Sequence, residues 1–374
     1  MIFAALAQAV LIAGSPSSVG MSPERLENAA SILASEIQRG NIGAASILVA
    51  RRGTIVLHRG LGRLSRQEGS TAVTPDSVFL LASITKPVTA CSLMLLVERG
   101  KVSLNDPVSR YLPEFTGDER DKVRVRDLLS HTSGMPDMLP ENVALRRANV
   151  PLSKFVEGAL KTPLLYTPGT SFRYQSMGTL LAGEIVERVS GMRLRDFEKK
   201  EIFEPLGMQH SSLGLGSLRI PDTVQAWESP KANPQDTERF GVNSKYWRDM
   251  GHPWGGMHST TGDLAILLQT FLNGGAYSGK RIFSPATVKA MTSDQNTQVH
   301  APWGLGWALG RSIAWNFFGD LISPSTFGHA GATGTVAWAD PESQLICVIL
   351  TDRLYDEGRL LRLVSNAVAA AIDN

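Results

Sequence analysis

Two β-rich runs near the start of the chain, residues 45–50 (ASILVA) and 54–58 (TIVLH), are separated only by Arg51-Arg52-Gly53. This is the signature of an antiparallel hairpin. A two-stranded ribbon is marginal in water and needs partner strands. The next comparable runs lie at the far end of the chain, at residues 305–309, 334–339 and 345–350. Asp340-Pro341-Glu342-Ser343 forms a turn between the last two. The sheet must therefore be assembled from both chain ends, around whatever lies between them.

What lies between is helical. Apolar or amphipathic stretches cover residues 84–99, 152–160, 177–190, 193–200 and 262–273, punctuated by Thr162-Pro163 and Thr167-Pro168-Gly169. Helices also close both ends. Ser22-Pro23-Glu24 caps one whose Leu26, Ala29, Ala30, Leu33 and Ile37 share a face, and Gly40 stops it. Residues 357–372 form another, with Leu360, Leu361, Val364, Val368 and Ile372 aligned. The expected class is α/β of the α+β type. An antiparallel sheet is flanked by terminal helices, and a mainly helical domain is inserted. The expected boundaries are a sheet part over 16–75 and 290–374 and a helical part over 76–289, together one catalytic domain over 16–374.

Several function classes are disfavoured by composition. Net charge is +2 in 374 residues, and the basic clusters Arg51-Arg52, Arg146-Arg147 and Lys199-Lys200 are short and lack interleaved aromatics. No nucleic-acid partner is expected. Seven His and two Cys are scattered, and His252 and His258 are not in a helical ligand frame. No metal or cofactor is expected. Cys91 and Cys347 sit in apolar runs and read as buried free thiols. No apolar run reaches the roughly 18 residues of a bilayer span. Residues 1–15 include an apolar stretch, and Ala5-Leu6-Ala7 imitates a cleavage site, but no Lys or Arg precedes it. We read this segment as a tail or vestigial signal, with a cytoplasmic location expected and export the alternative. Oligomeric state is not legible.

Three short motifs carry chemistry. Ser83-Ile84-Thr85-Lys86 is the single S-x-x-K, and it opens an apolar helix. Positions three apart share a helical face, which places Lys86 beside the Ser83 hydroxyl. A serine needs a neighbour to take its proton, and a desolvated lysine can do so. Taken alone, the tetrapeptide reads more readily as a helix cap with a solvated lysine. Tyr174 follows a polar loop and precedes a helix; alone it is a packing residue. Gly328-His329-Ala330-Gly331-Ala332-Thr333-Gly334 reads as a glycine-rich turn leading into a strand. Ser130-His131-Thr132-Ser133 reads as a structural loop, since adjacent residues do not face each other as a triad requires.

In this order, the three motifs resemble those of the serine β-lactamase and penicillin-binding-protein superfamily, in the branch shared by class C β-lactamases and family VIII carboxylesterases. Val19-Gly20-Met21-Ser22-Pro23-Glu24-Arg25-Leu26, Leu128-Leu129-Ser130-His131-Thr132-Ser133-Gly134 and Gly304-Leu305-Gly306-Trp307 are also similar, so the likeness runs from about residue 16 to the end. The resemblance implies a β-lactamase/transpeptidase-like fold and acylation of Ser83. Lys86 would be the proton acceptor, Tyr174 would share proton transfer, and the N–H groups of Ser83 and Ala332 would hold the oxyanion. Ser176, His329 and Gly331 would lie at the substrate, with His329 placed to orient either Tyr174 or the substrate's carbonyl side.

Two departures bear on the substrate. Ser176 replaces the asparagine of the family's Y-x-N motif, removing an amide that binds an acylamide carbonyl. His329 replaces the lysine of K-T-G, exchanging a fixed charge for a titratable imidazole. The expected function is an acyl-enzyme-forming carboxylesterase acting on small-molecule esters or amides. β-Lactamase or D-amino peptidase (DD-peptidase) activity is the first alternative. A non-catalytic penicillin-binding-like sensor is the alternative of another class, and acyl transfer to an acceptor other than water remains open. Trp303 and Phe327 are read either as lining an acyl pocket or as core.

Overall fold

The computed structural model describes residues 9–312 and 316–373. Among them, seven strands form one sheet: β1 (Ile12–Ala13), β2 (Ala44–Arg51), β3 (Thr54–Gly62), β4 (Ala308–Leu309), β5 (Phe327–Gly331), β6 (Thr335–Asp340) and β7 (Leu345–Thr351). Their spatial order is β1-β3-β2-β7-β6-β5-β4. The β2–β3 hairpin turns at Arg52 and Gly53, whose φ values of 50° and 80° suit a two-residue turn matched to strand twist. β2 then pairs antiparallel with β7, from Arg51 opposite Leu345 to Ala45 opposite Thr351. That ladder joins the two ends of the chain.

β2 and β7 are buried along their whole length because both faces of the sheet are covered. Successive side chains alternate between faces. Ile47, Val49, Cys347 and Ile349 pack against helix α1 (Pro23–Gln38) and the closing helix over Arg359–Ala369. Trp338 donates from Nε1 to Ser365 Oγ at 3.1 Å, pinning the closing helix to the sheet. Leu48, Ala50, Ile346 and Val348 face the other core, which holds Leu264, Leu267 and Phe271 from the helix over Thr261–Leu272. In that second core the helix α2 (Thr85–Glu98) is mostly apolar and is buried from Thr85 to Leu96, the polar side chains Lys86, Thr89 and Ser92 included. It packs on the helix over Met177–Ser190. Both cysteines are free and buried.

Three local differences from the sequence reading have physical causes. The run at 305–309 contributes only Ala308–Leu309, because Gly306 takes a φ of 85°. There the N–H groups of Leu305 and Gly306 bond Met291 and Leu129 carbonyls rather than a ladder. The glycine-rich segment at 327–331 is a strand and not merely a turn, paired with β6 from Phe327 opposite Ala339 to Gly331 opposite Thr335. Its glycines lower intrinsic strand propensity, which hides it. Ile12–Ala13 adds a short parallel strand beside β3 rather than a structureless tail. The cleavage-like Ala5-Leu6-Ala7 lies outside the described residues.

The β5–β6 turn is tied to the segment before Ser83. Thr333 Oγ1 and Thr335 Oγ1 donate to the carbonyls of Leu80 and Leu81, each at 2.7 Å. A Cβ on Gly331 would sit 2.1 Å from the Leu81 oxygen, so only glycine permits this approach. Gly331→Ala should therefore cost about 1–3 kcal/mol of stability, as overpacking does. Urea unfolding measures this, and an unchanged midpoint would mean that the Leu81 backbone retreats freely.

Candidate active site

Phe79–Leu80 pairs with Met257–Ser259 as an extended segment, then the chain turns sharply. Ala82 has a φ of 50°, a left-handed value uncommon for a residue with a side chain. A helical turn over Ala82–Ile84 follows and runs directly into α2. Thr85 fixes that start: its hydroxyl donates to Ala82 O at 2.7 Å and accepts from Met257 N–H at 3.0 Å. Ser83 is thereby held half-exposed, at the wall of a cavity of about 580 Å³.

Lys86 lies one turn on, only 2% exposed. Its Nζ donates to Ser83 Oγ at 3.1 Å and to the Trp254 carbonyl at 3.1 Å. The Trp254 segment is itself held by Thr89, whose hydroxyl donates to Pro253 O at 2.9 Å. Burial lowers the Lys86 ammonium to about 7, with Asp137 pulling weakly the other way. Tyr174 borders the same cavity, and the Lys86 Nζ stands 4.6 Å from its ring centroid. Burial raises the phenol well above its usual range, and its hydrogen bond with Ser83 only partly offsets this. Near neutral pH the lysine is thus the group able to exist as a free base, and the phenol stays protonated.

Ser176 also borders the cavity, but its hydroxyl donates to Asp137 Oδ1 at 2.6 Å. Gly331 and Ala332 form the wall contributed by the β5–β6 turn. His329 stands elsewhere. It is fully buried, with Nδ1 2.7 Å from Ala330 O and its ring 5.9 Å from that of Tyr174. Burial, assisted by Lys86, lowers its pKa to about 3. Of its two expected positions His329 takes the one beside Tyr174, as a neutral imidazole, because its buried ring has no solvent to stabilise a charge. His131 and Trp303 complete the support, with rings 4.6 and 6.0 Å from Tyr174. Trp303 and Phe327 are core residues and do not border the cavity.

Asp137 and Trp254 border the cavity and were not singled out from sequence; His252, weighed there only as a metal ligand, borders it too. Asp137 sits in an ordinary Gly/Pro-rich loop, and Trp254 acts through its backbone oxygen, so neither carries a pattern. The rings of Trp247 and Trp254 flank His252 at 4.2 and 4.7 Å and make one side of the cavity aromatic. Among the described residues no cluster of three His, Cys, Asp or Glu side chains is placed to hold a metal ion. No helix among them is long and apolar enough to cross a membrane.

The family model for β-lactamases matches residues 29–371. The chain belongs to the β-lactamase family. A protein of Salmonella agona (strain SL483), provisionally named D-alanyl-D-alanine carboxypeptidase, is 33% identical over 376 aligned positions. The alignment covers 92% of this chain and 86% of that protein. The fold is shared with EstCE1, described as a hydrolase with promiscuous acyltransferase activity, at a TM-score of 0.75 and 22% identity over 92% of this chain and 99% of that chain. It is also shared with a family VIII carboxylesterase, at a TM-score of 0.73 and 21% identity over 93% of this chain and 98% of that chain. Within the β-lactamase family the chain is a serine hydrolase.

The buried amine has a measurable cost. Lys86 titrates near 7 in the folded protein and near about 10.4 in an unfolded chain. Between these values the unfolded state binds the extra proton, so the penalty grows as pH falls and is complete below about 7. Lys86→Met should raise the thermal unfolding midpoint, by more at about pH 6 than at about pH 9. Calorimetry at the two pH values checks this, and a shift larger at the alkaline value would contradict it.

Proposed function

We propose that this β-lactamase-family hydrolase is a carboxylesterase acting through an acyl-Ser83 intermediate. The observation that carries the reading is the 3.1 Å contact between Ser83 Oγ and a lysine held near 7 at the wall of the cavity. In this reading Ser83 Oγ attacks the ester carbonyl carbon while the neutral Lys86 amine takes its proton. The backbone N–H groups of Ser83 and Ala332 receive the developing oxyanion. Collapse breaks the bond to the leaving oxygen, and Tyr174 relays the proton from Lys86 to that alkoxide. Water then cleaves the acyl-enzyme by the same steps in reverse order, restoring Ser83.

Two features favour an ester over a β-lactam. The Ser176 hydroxyl is engaged by Asp137, and no side-chain amide stands there to hold an acylamide carbonyl. His329 is neutral and buried, so β5 offers no cation to a substrate carboxylate. The Salmonella relative supports a second reading, cleavage of D-amino acid amides or peptides. A non-catalytic penicillin-binding-like sensor is the third.

Ser83→Ala should abolish turnover of p-nitrophenyl butyrate, with circular dichroism unchanged. Side-by-side assays with nitrocefin and D-alanyl amides rank the readings, and faster turnover of either would displace the esterase. An acyl adduct that accumulates without turnover would support the sensor. The acid limb of the kcat/KM profile should rise with pH through about 7, since protonated Lys86 accepts no proton. A flat profile between about pH 5 and 9 would remove Lys86 from the role of base.

A further inference from the structure

The cavity has a side that the proposed chemistry does not use. Trp227, Phe317, Asp352, Arg353 and Leu354 also border it. Asp352 is the obvious anion there, but it is occupied. Its Oδ1 accepts from the Gly43 N–H at 2.8 Å, and its Oδ2 pairs with Arg66 at 3.1 Å. The Thr333 hydroxyl is likewise committed, to Leu80 O. Arg353 is different. Its guanidinium carbon lies 4.0 Å from the Trp227 ring centroid and 5.6 Å from that of Tyr355. Among the described residues no carboxylate lies within ion-pair distance of it.

Stacking on an indole occupies the face of a guanidinium. Its five N–H donors lie in the plane and remain available at the edge. A cation fixed this way loses little side-chain freedom on meeting an anion. It also sits in a partly enclosed cavity, where a charge-assisted pair outweighs its surface equivalent. With His329 neutral behind Tyr174, Arg353 is the cation among the described residues that border the cavity.

We propose that Arg353 is a specificity-determining residue that receives a substrate carboxylate, so that the preferred substrates are esters or amides bearing one anionic arm. The apolar arm lies against Trp247, Trp254 and His252, which border the same cavity. This proposal rests on the hydrolase reading of Ser83 and narrows its substrate class.

The test uses two matched pairs of substrates. p-Nitrophenyl glutarate against p-nitrophenyl valerate places the charge on the acyl side, and 4-acetoxybenzoate against phenyl acetate places it on the leaving side. In the wild type, the anionic member of at least one pair should have the higher kcat/KM, after correction for intrinsic hydrolysis rates. The gain should appear in KM and should shrink as salt is raised. Arg353→Ala should lower that anionic-to-neutral ratio about tenfold, Arg353→Lys should keep part of it, and Arg239→Ala, at an exposed site, should leave it as in the wild type. Equal treatment of both members in both pairs by the wild type would overturn the proposal. So would an Arg353→Ala ratio equal to that of the wild type. Turnover surviving in Ser83→Ala would instead overturn the underlying hydrolase reading, whatever the ratios.

Discussion

The site depends on keeping one amine out of water. Lys86 is carried on a helix that is buried on every side, and its Nζ contacts a serine hydroxyl, a backbone carbonyl and the face of a phenol. Solvation lost there is what brings its pKa to about 7. The same burial keeps Tyr174 protonated and His329 neutral. One physical cause thus separates three groups into a base, a proton relay and an uncharged support. Opening this region to water would return the lysine towards its ordinary value and remove the distinction.

That enclosure needs two parts of the fold to meet tightly. The sheet delivers the β5–β6 turn, and the helical region delivers the strand-to-helix corner at Ala82–Ser83. They are joined by the hydroxyls of Thr333 and Thr335 on the Leu80 and Leu81 carbonyls, and by the missing side chain of Gly331. These bonds satisfy carbonyls that the buried end of the Phe79–Leu80 strand would otherwise leave unpaired. The left-handed Ala82 is a local strain that the surrounding packing maintains. The β2–β7 ladder holds the whole frame in register.

Much of this was legible as pattern. The Arg52-Gly53 hairpin, the apolar run after Ser83 and the amphipathic closing helix follow from periodicity and turn chemistry, which are local. The order of Ser83, Tyr174 and His329-Ala330-Gly331 pointed to the family. The strand at 327–331 was obscured, because Gly331 answers to a contact with Leu81, and Gly328 to one with Trp338, rather than to strand propensity. Asp137 was invisible for a related reason: its relevance is its distance from Ser176, 39 positions away. The Trp254 carbonyl and the stacked Arg353 could not be read at all, since one is backbone and the other is defined by the ring beneath it.

By itself the sequence determined which groups are available: a serine and lysine one helical turn apart, a tyrosine at a loop–helix junction, and strand-forming runs at both ends that must pair. Covalent spacing and side-chain chemistry suffice for that. The tertiary structure alone decided their state. It set Lys86 near neutrality and kept His329 uncharged at neutral pH, and it left Arg353 bordering an open cavity. Charge state follows from the dielectric surroundings and from neighbours remote in the chain, and these exist only once the chain has folded.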